Sequence, residues 1–232
     1  MAITADSIGT AQSSTSSTSL SFSHTCAAGA TLFVSVAQRD AGNISAATYN
    51  SVAMTKAVTS AEASDFECSV YYLLSPATGA NTVAFTTSAT SRWIAAVAIS
   101  FLGVDQATPI DDTDTSGLDT ASPLSLSGLA SVTDGAVMMD ALVNNDNGTT
   151  TMTAATNRVE RANVQPTNGK FCASTIITEV TAGSETMEWT GVWTVARLCA
   201  VAIKPAAAGG GPLIRGGQLA HGALVRGGRV AA

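Results

Sequence analysis

The chain has 232 residues, 46% of them hydrophobic and only 12% charged, which is enough to bury a sizeable core and excludes disorder driven by charge. Every Asp and Glu precedes residue 206, so residues 1–205 carry a net charge of −9, whereas 206–232 carry +3 from Arg215, Arg226 and Arg229. An acidic body lacks the clustered cations that nucleic-acid phosphates require, and no apolar run is long enough to span a bilayer, so neither nucleic acid nor membrane is expected as a partner.

Met1–Asp6 has no basic n-region and no apolar h-region, so no secretory signal is expected. Strand patterns then recur at short intervals, separated by turn residues. Ser19–Thr25 alternates around Leu20 and Phe22, and Thr31–Ala37 reads Leu32-Phe33-Val34-Ser35-Val36 at its centre. Ala47–Tyr49 and Val52–Val58 flank a tight Asn50-Ser51 connection, and Glu67–Leu74 places Cys68, Val70, Tyr72 and Leu74 on one face. Asn81–Thr87 follows a break at Pro76 and Gly79. Arg92–Leu102 is almost continuously apolar, the pattern of a central strand covered on both faces.

The second half repeats this grammar with Leu124–Leu129, Ala136–Asn144, Thr149–Thr153, Asn157–Ala162, Phe171–Val180, Glu185–Thr190 and Leu198–Ile203. No segment carries a sustained helical apolar stripe between caps. The wet positions hold Ser and Thr in place of Glu and Lys, which suits a pleated surface. The fold class is therefore all-β: a two-sheet antiparallel β-sandwich occupying residues 1–205, followed by a C-terminal β-prone tail.

Residues 206–212 form an Ala/Gly/Pro linker, and 213–232 hold two related units offset by 11 residues. The first is Leu213-Ile214-Arg215-Gly216-Gly217-Gln218-Leu219-Ala220, and the second is Leu224-Val225-Arg226-Gly227-Gly228-Arg229-Val230-Ala231. Their apolar residues have strand propensity and no domain of their own to shelter in. Leu213, Ile214, Arg215, Leu219, Leu224, Val225, Arg226, Arg229 and Val230 are thus the expected assembly contacts, by strand addition to a neighbour's sheet edge.

Chemistry has little material here. His24 and His221 are the only histidines, and Cys26, Cys68, Cys172 and Cys199 lie far apart in apolar or small-residue stretches, as structural thiols do. Asp111–Gly117 begins like a calcium loop, yet the twelfth position counted from Asp112 is Pro123 in place of a bidentate Glu, so an acidic surface loop is the reading. No P-loop or dinucleotide fingerprint occurs, and no metal or cofactor is expected. Glu179, Glu185 and Glu188 are spread along strands with nothing to mark a catalytic pair. Among the tryptophans, Trp93 reads as core, and Trp193, beside Gly191, reads as the exposed candidate for a glycan-stacking platform.

Several phrases carry a resemblance that spans residues 1 to about 205. They are Ser21-Phe22-Ser23-His24-Thr25, Ala47-Thr48-Tyr49-Asn50-Ser51-Val52-Ala53-Met54-Thr55, Tyr71-Tyr72-Leu73-Leu74-Ser75-Pro76-Ala77-Thr78-Gly79, the stretch Ala98–Pro109, and Ala200-Val201-Ala202-Ile203-Lys204-Pro205. Together they resemble a widespread jelly-roll-like β-sandwich domain of bacteriophage structural proteins and bacterial surface or secreted proteins. The tail units resemble the C-terminal tails of phage virion proteins. The resemblance implies no catalytic residues. It implies a non-enzymatic virion structural protein, either a head decoration (cement) protein or a fibre component, made without a signal peptide and placed on the virion surface. Its expected partners are other virion proteins and sister subunits in a homo-oligomer, with a trimer as the expected count. The alternative is a glycan-binding module of a cell-surface or phage adhesin.

Overall fold

The computed structural model describes residues 2–12, 17–39, 43–61, 66–91, 93–117, 119–129, 133–144, 153–154, 159–164, 172–191 and 193–207. Every regular element among them is a strand. The first nine are β1 (Thr4–Gln12), β2 (Ser17–Cys26), β3 (Thr31–Arg39), β4 (Ile44–Tyr49), β5 (Val52–Ala53), β6 (Thr55–Ala61), β7 (Phe66–Leu74), β8 (Gly79–Ser91) and β9 (Trp93–Leu102). They build two sheets, ordered β1-β9-β3-β7-β6 and β2-β8-β4-β5. The remaining eight are β10 (Ile110–Thr115), β11 (Leu124–Leu129), β12 (Ala136–Asn144), β13 (Thr153–Ala154), β14 (Val159–Val164), β15 (Cys172–Val180), β16 (Glu185–Thr190) and β17 (Ala196–Ile203). Their sheets are ordered β10-β17-β12-β15-β14 and β11-β16-β13.

Taken in turn, the second set repeats the first. β10 stands where β1 does, β17 where β9, β12 where β3, β15 where β7 and β14 where β6; in the outer sheets β11, β16 and β13 replace β2, β8 and β4. Successive strands cross between two antiparallel sheets in the jelly-roll manner. The expected β-sandwich is therefore present, and it occurs twice, giving four sheets where the sequence reading anticipated two.

The two five-stranded sheets face each other at the centre of the molecule. Phe33, Ala37, Cys68, Val70, Val97, Ile99 and Phe101 from one side meet Val137, Met139, Ala141, Val143, Cys199, Val201 and Ile203 from the other. β1 lies against β14 and β6 against β10 and β17, so the halves are related by a pseudo-twofold running along the strands. Each central sheet is covered again on its outer face. Leu32, Val34, Ile94 and Ala96 pack on Tyr49, Val83 and Phe85, and Met138, Leu142, Leu198 and Ala200 pack on Leu124, Met187 and Trp189.

This four-layer stack explains the hydropathy pattern. β3, β9, β12 and β17 are buried on both faces and read as predominantly apolar runs without a two-residue alternation. The outer strands alternate because one face is wet. In β2, Leu20 and Phe22 pair with Phe85 and Val83; in β11, Leu124 and Leu126 pair with Trp189 and Met187. Leu20-Ser21-Phe22-Ser23 and Leu124-Ser125-Leu126-Ser127 are thus the same strand written twice.

Two strands were not visible in the sequence: β1, and β10, which reads as an acidic loop. Both are outermost in the central sheets and carry few apolar residues. The run Val52–Val58 also resolves differently. β5 belongs to an outer sheet and β6 to a central one, with Met54 between them. Asn50 and Ser51 have φ of 48° and 63°, the positive pair required by a tight hairpin turn.

Candidate functional site

The polar residues buried between the layers are the places where chemistry could reside. In the first jelly roll one residue, Asp6, bulges out of the β1–β9 ladder. Its Oδ2 accepts from the Ala27 backbone N–H at 2.8 Å and from Ser100 Oγ at 2.9 Å. Ser100 Oγ stands 3.3 Å from His24 Nε2. His24, Ser100 and Cys26 are all buried. Burial lowers the His24 pKa, against the raising effect of Asp6, and burial pushes the Cys26 thiol up. Tyr49 closes the cluster, donating toward the carbonyls of His24, Ala77 and Gly79 at 3.1–3.2 Å. Burial and the Cys26 thiol push its phenol up to about 12.

Serine, histidine and aspartate therefore meet, but in the wrong order for acyl transfer. A hydrolase carboxylate orients the imidazole, and the imidazole takes the serine proton. Here the carboxylate accepts the serine hydrogen itself, while His24 Nδ1 faces Gly9, where a Cβ would lie only 3.1 Å away. With Ser100 fully buried, the group ties β1, β2 and β9 together.

The second jelly roll reproduces the clamp without the histidine. Asp111 is the bulged residue of the β10–β17 ladder, and its Oδ2 accepts from both the backbone N–H and the Oγ1 of Thr133. Ala27 and Thr133 each open a turn in which their carbonyl accepts from Ala30 or Ala136, with Gly29 or Gly135 at φ 78° or 80°. Where Gly9 leaves room for His24, the second half exchanges sizes: Asp114 on β10 leans on Gly128 of β11, whose N–H it accepts at 3.1 Å.

Two fully buried carboxylates also serve the frame. Glu67 accepts from Lys56 Nζ at 3.1 Å, from the Ile44 N–H at 2.7 Å and from Ser69 Oγ at 2.7 Å. Burial opposes the charge on Lys56, but Glu67 and Tyr71 outweigh it and hold its pKa above the ordinary value. Asp140 accepts from Trp189 Nε1 at 2.8 Å, and its backbone carbonyl takes a bond from Ser35 Oγ at 2.7 Å across the central interface.

The structure corrects the placement of Trp193. It is only 6% exposed, packed beside Leu124 and Trp189 with its Nε1 donating to the Ala121 carbonyl at 2.9 Å. The indole N–H draws it inward to a buried acceptor, so its ring presents no open stacking face. Trp93 and Trp189 are buried as well. Asp111, Asp112 and Asp114 lie on β10, and among the described residues no group of three or more His, Cys, Asp or Glu converges as metal ligands do. Glu185 and Glu188 sit half-buried on β16, and the side chain of Glu179 is outside the described residues. Cys26, Cys68 and Cys199 are buried free thiols. The Cys68 and Cys199 thiols meet at the central interface, where burial raises the Cys199 pKa well above its ordinary value.

The expected assembly contacts Leu213, Ile214, Arg215, Leu219, Leu224, Val225, Arg226, Arg229 and Val230 lie outside the described residues. The described residues end at Ala207, beside Gly103, whose carbonyl accepts from the Ala206 N–H at 2.8 Å.

What sequence reasoning missed is a rim of the central sheets that is open among the described residues. β1 is an outermost strand with Ile8 at 41% exposure, and the facing edge strand β14 exposes Val159 at 45%. The pseudo-equivalent rim is closed differently. β10 carries Asp111, Asp112 and Asp114, Val58 of β6 is buried, and Ser60 Oγ donates to the Ser116 carbonyl at 2.5 Å. Comparison of the chain with protein-family models, with curated proteins and with solved structures finds no match in any of the three.

Proposed function

We propose that this protein is a non-enzymatic structural component of a bacteriophage particle, a head decoration protein or fibre component, that acts by presenting a rigid body and self-associating through residues 213–232. The observation that carries the reading is the use made of the carboxylates that bridge its strands and layers. Asp6, Glu67, Asp111 and Asp140 each bind a backbone amide or a neighbouring strand's side chain, so the reactive residue types are committed to holding layers together. A stack of four sheets built this way is stiff and deep-cored, which suits a part that must keep its shape on a particle surface.

The sequence beyond Ala207 supplies the second support. Its six apolar strand formers and three arginines follow an acidic body, a pairing that favours contact between copies. Ending the chain at Ala207 is expected to leave the β-body folded by circular dichroism while light scattering shows the assembly reduced to single chains. Undiminished assembly of the shortened chain contradicts the proposal.

A further inference from the structure

We propose that the open edge of β1 receives the segment Leu213–Ala220 of a second copy, added as an antiparallel strand. This rests on the assembly reading above and names the surface that reading leaves unspecified.

Exposed edge strands invite pairing, and proteins blunt them with inward or edge charges. β10 follows that rule with three carboxylates in six residues, whereas its counterpart β1 has Asp6 alone, and that carboxylate is engaged by Ala27 and Ser100. At equivalent points of the two ladders, Ile8 pairs with Ile99 and Thr113 with Val201. One rim thus presents an exposed isoleucine on β1 and an exposed Val159 on the β14 strand packed against it, and the other an exposed threonine among acids. Among the described residues nothing pairs with the outer side of β1. A strand laid there would meet unpaired backbone groups and an apolar strip, which matches Leu213, Ile214 and Leu219.

The length of the chain beyond the body decides whose segment fits. All pairings in the β1 sheet are antiparallel. The body ends beside Gly103, which lies against Ala2 at the start of β1. An antiparallel partner must enter at the far end, nine residues or about 30 Å away. The five residues 208–212 span about 17 Å at most, so the chain's own first unit falls short. The same unit from a neighbour has no such limit. The contact is heterologous, tail of one copy to edge of the next, and where the rotation between copies closes it gives a ring such as a trimer.

The experiment uses Ile8→Lys, its counterpart Thr113→Lys, and the chain ending at Ala207. Light scattering of the full-length variants should show Ile8→Lys weakening association by about tenfold or more, with Thr113→Lys unchanged. A synthetic peptide of Leu213–Ala220 should bind saturably to the shortened chain and to its Thr113→Lys form, and not to its Ile8→Lys form. If Ile8→Lys associates at full strength while the shortened chain does not, the β1 edge is wrong and tail-driven assembly stands. If the shortened chain still assembles, the parent reading itself falls. Peptide binding that survives Ile8→Lys also overturns the inference.

Discussion

The two jelly rolls share a strand order and differ in what fills it. Both keep a bulged aspartate on the first strand clamping the turn before the third, and both put a large buried ring, Phe85 or Trp189, at the same place on β8 or β16. These shared features mark what the fold requires. The differences lie elsewhere: His24 and Ser100 in one half, Asp140 with Trp189 in the other, and a bare rim at β1 against an acidic one at β10. Repetition inside one chain thus separates scaffold from specialisation.

The comparison can be broken most forcefully at the rings. Phe85→Ala and Trp189→Ala should each destabilise by about 3–5 kcal/mol in urea unfolding, because each empties a fully buried site. Trp189→Phe should fall well short of that, at about 1–3 kcal/mol, since it keeps most of the ring and removes the bond to Asp140. A Trp189→Ala change that leaves the unfolding midpoint in place would mean that the second roll adds little to the cooperative unit.

A smaller effect tests the junction. Gly103 has φ of 79°, and a Cβ there would lie 2.4 Å from the Ala2 carbonyl oxygen. Gly103→Ala should therefore destabilise by about 2–3 kcal/mol, combining backbone strain with a clash that no side chain can relieve. The aspartate clamps come next. Asp6→Ala and Asp111→Ala each lose two hydrogen bonds to a carboxylate, and both should cost about 1–2 kcal/mol. Unequal losses would show that the two turns are not supported alike.

The smallest effect separates the halves by pH. His24 in the fold has a pKa below the ordinary 6.5 because burial disfavours its charged form. The unfolded chain binds the proton more readily, so stability is intact above pH 6.5 and declines as pH falls from there toward the lowered native value. His24→Gln should remove that part of the slope in acid titrations followed by circular dichroism. An unchanged slope would assign the acid sensitivity to carboxylates alone.

Much of this fold was legible from burial pattern. Leu124–Leu129, Ala136–Asn144 and Glu185–Thr190 match β11, β12 and β16 end to end, since each has an apolar face and clear turn residues beside it. β1 and β10 were not legible, because a strand at a rim buries too little to write a periodic signal. The duplication was present in Leu20-Ser21-Phe22-Ser23 and Leu124-Ser125-Leu126-Ser127, and in the shorter match of Ala98-Ile99 with Ala200-Val201. These fragments are short, and only the strand order makes them a pattern. Trp193 was misplaced because adjacency to glycine suggests exposure, whereas an acceptor at Ala121, 72 residues away in sequence, sets its position. The candidate docking rim depends on which edge lacks guards, and that emerges only when β1 and β10 are laid side by side.

Hydrogen exchange by mass spectrometry, on the full chain at an associating concentration and on the chain ending at Ala207, tests the central claim most directly. The account predicts slow exchange in β1 of the full chain, faster exchange there in the shortened one, and an unchanged rate in β10. Equal rates in β1 for both proteins would contradict it.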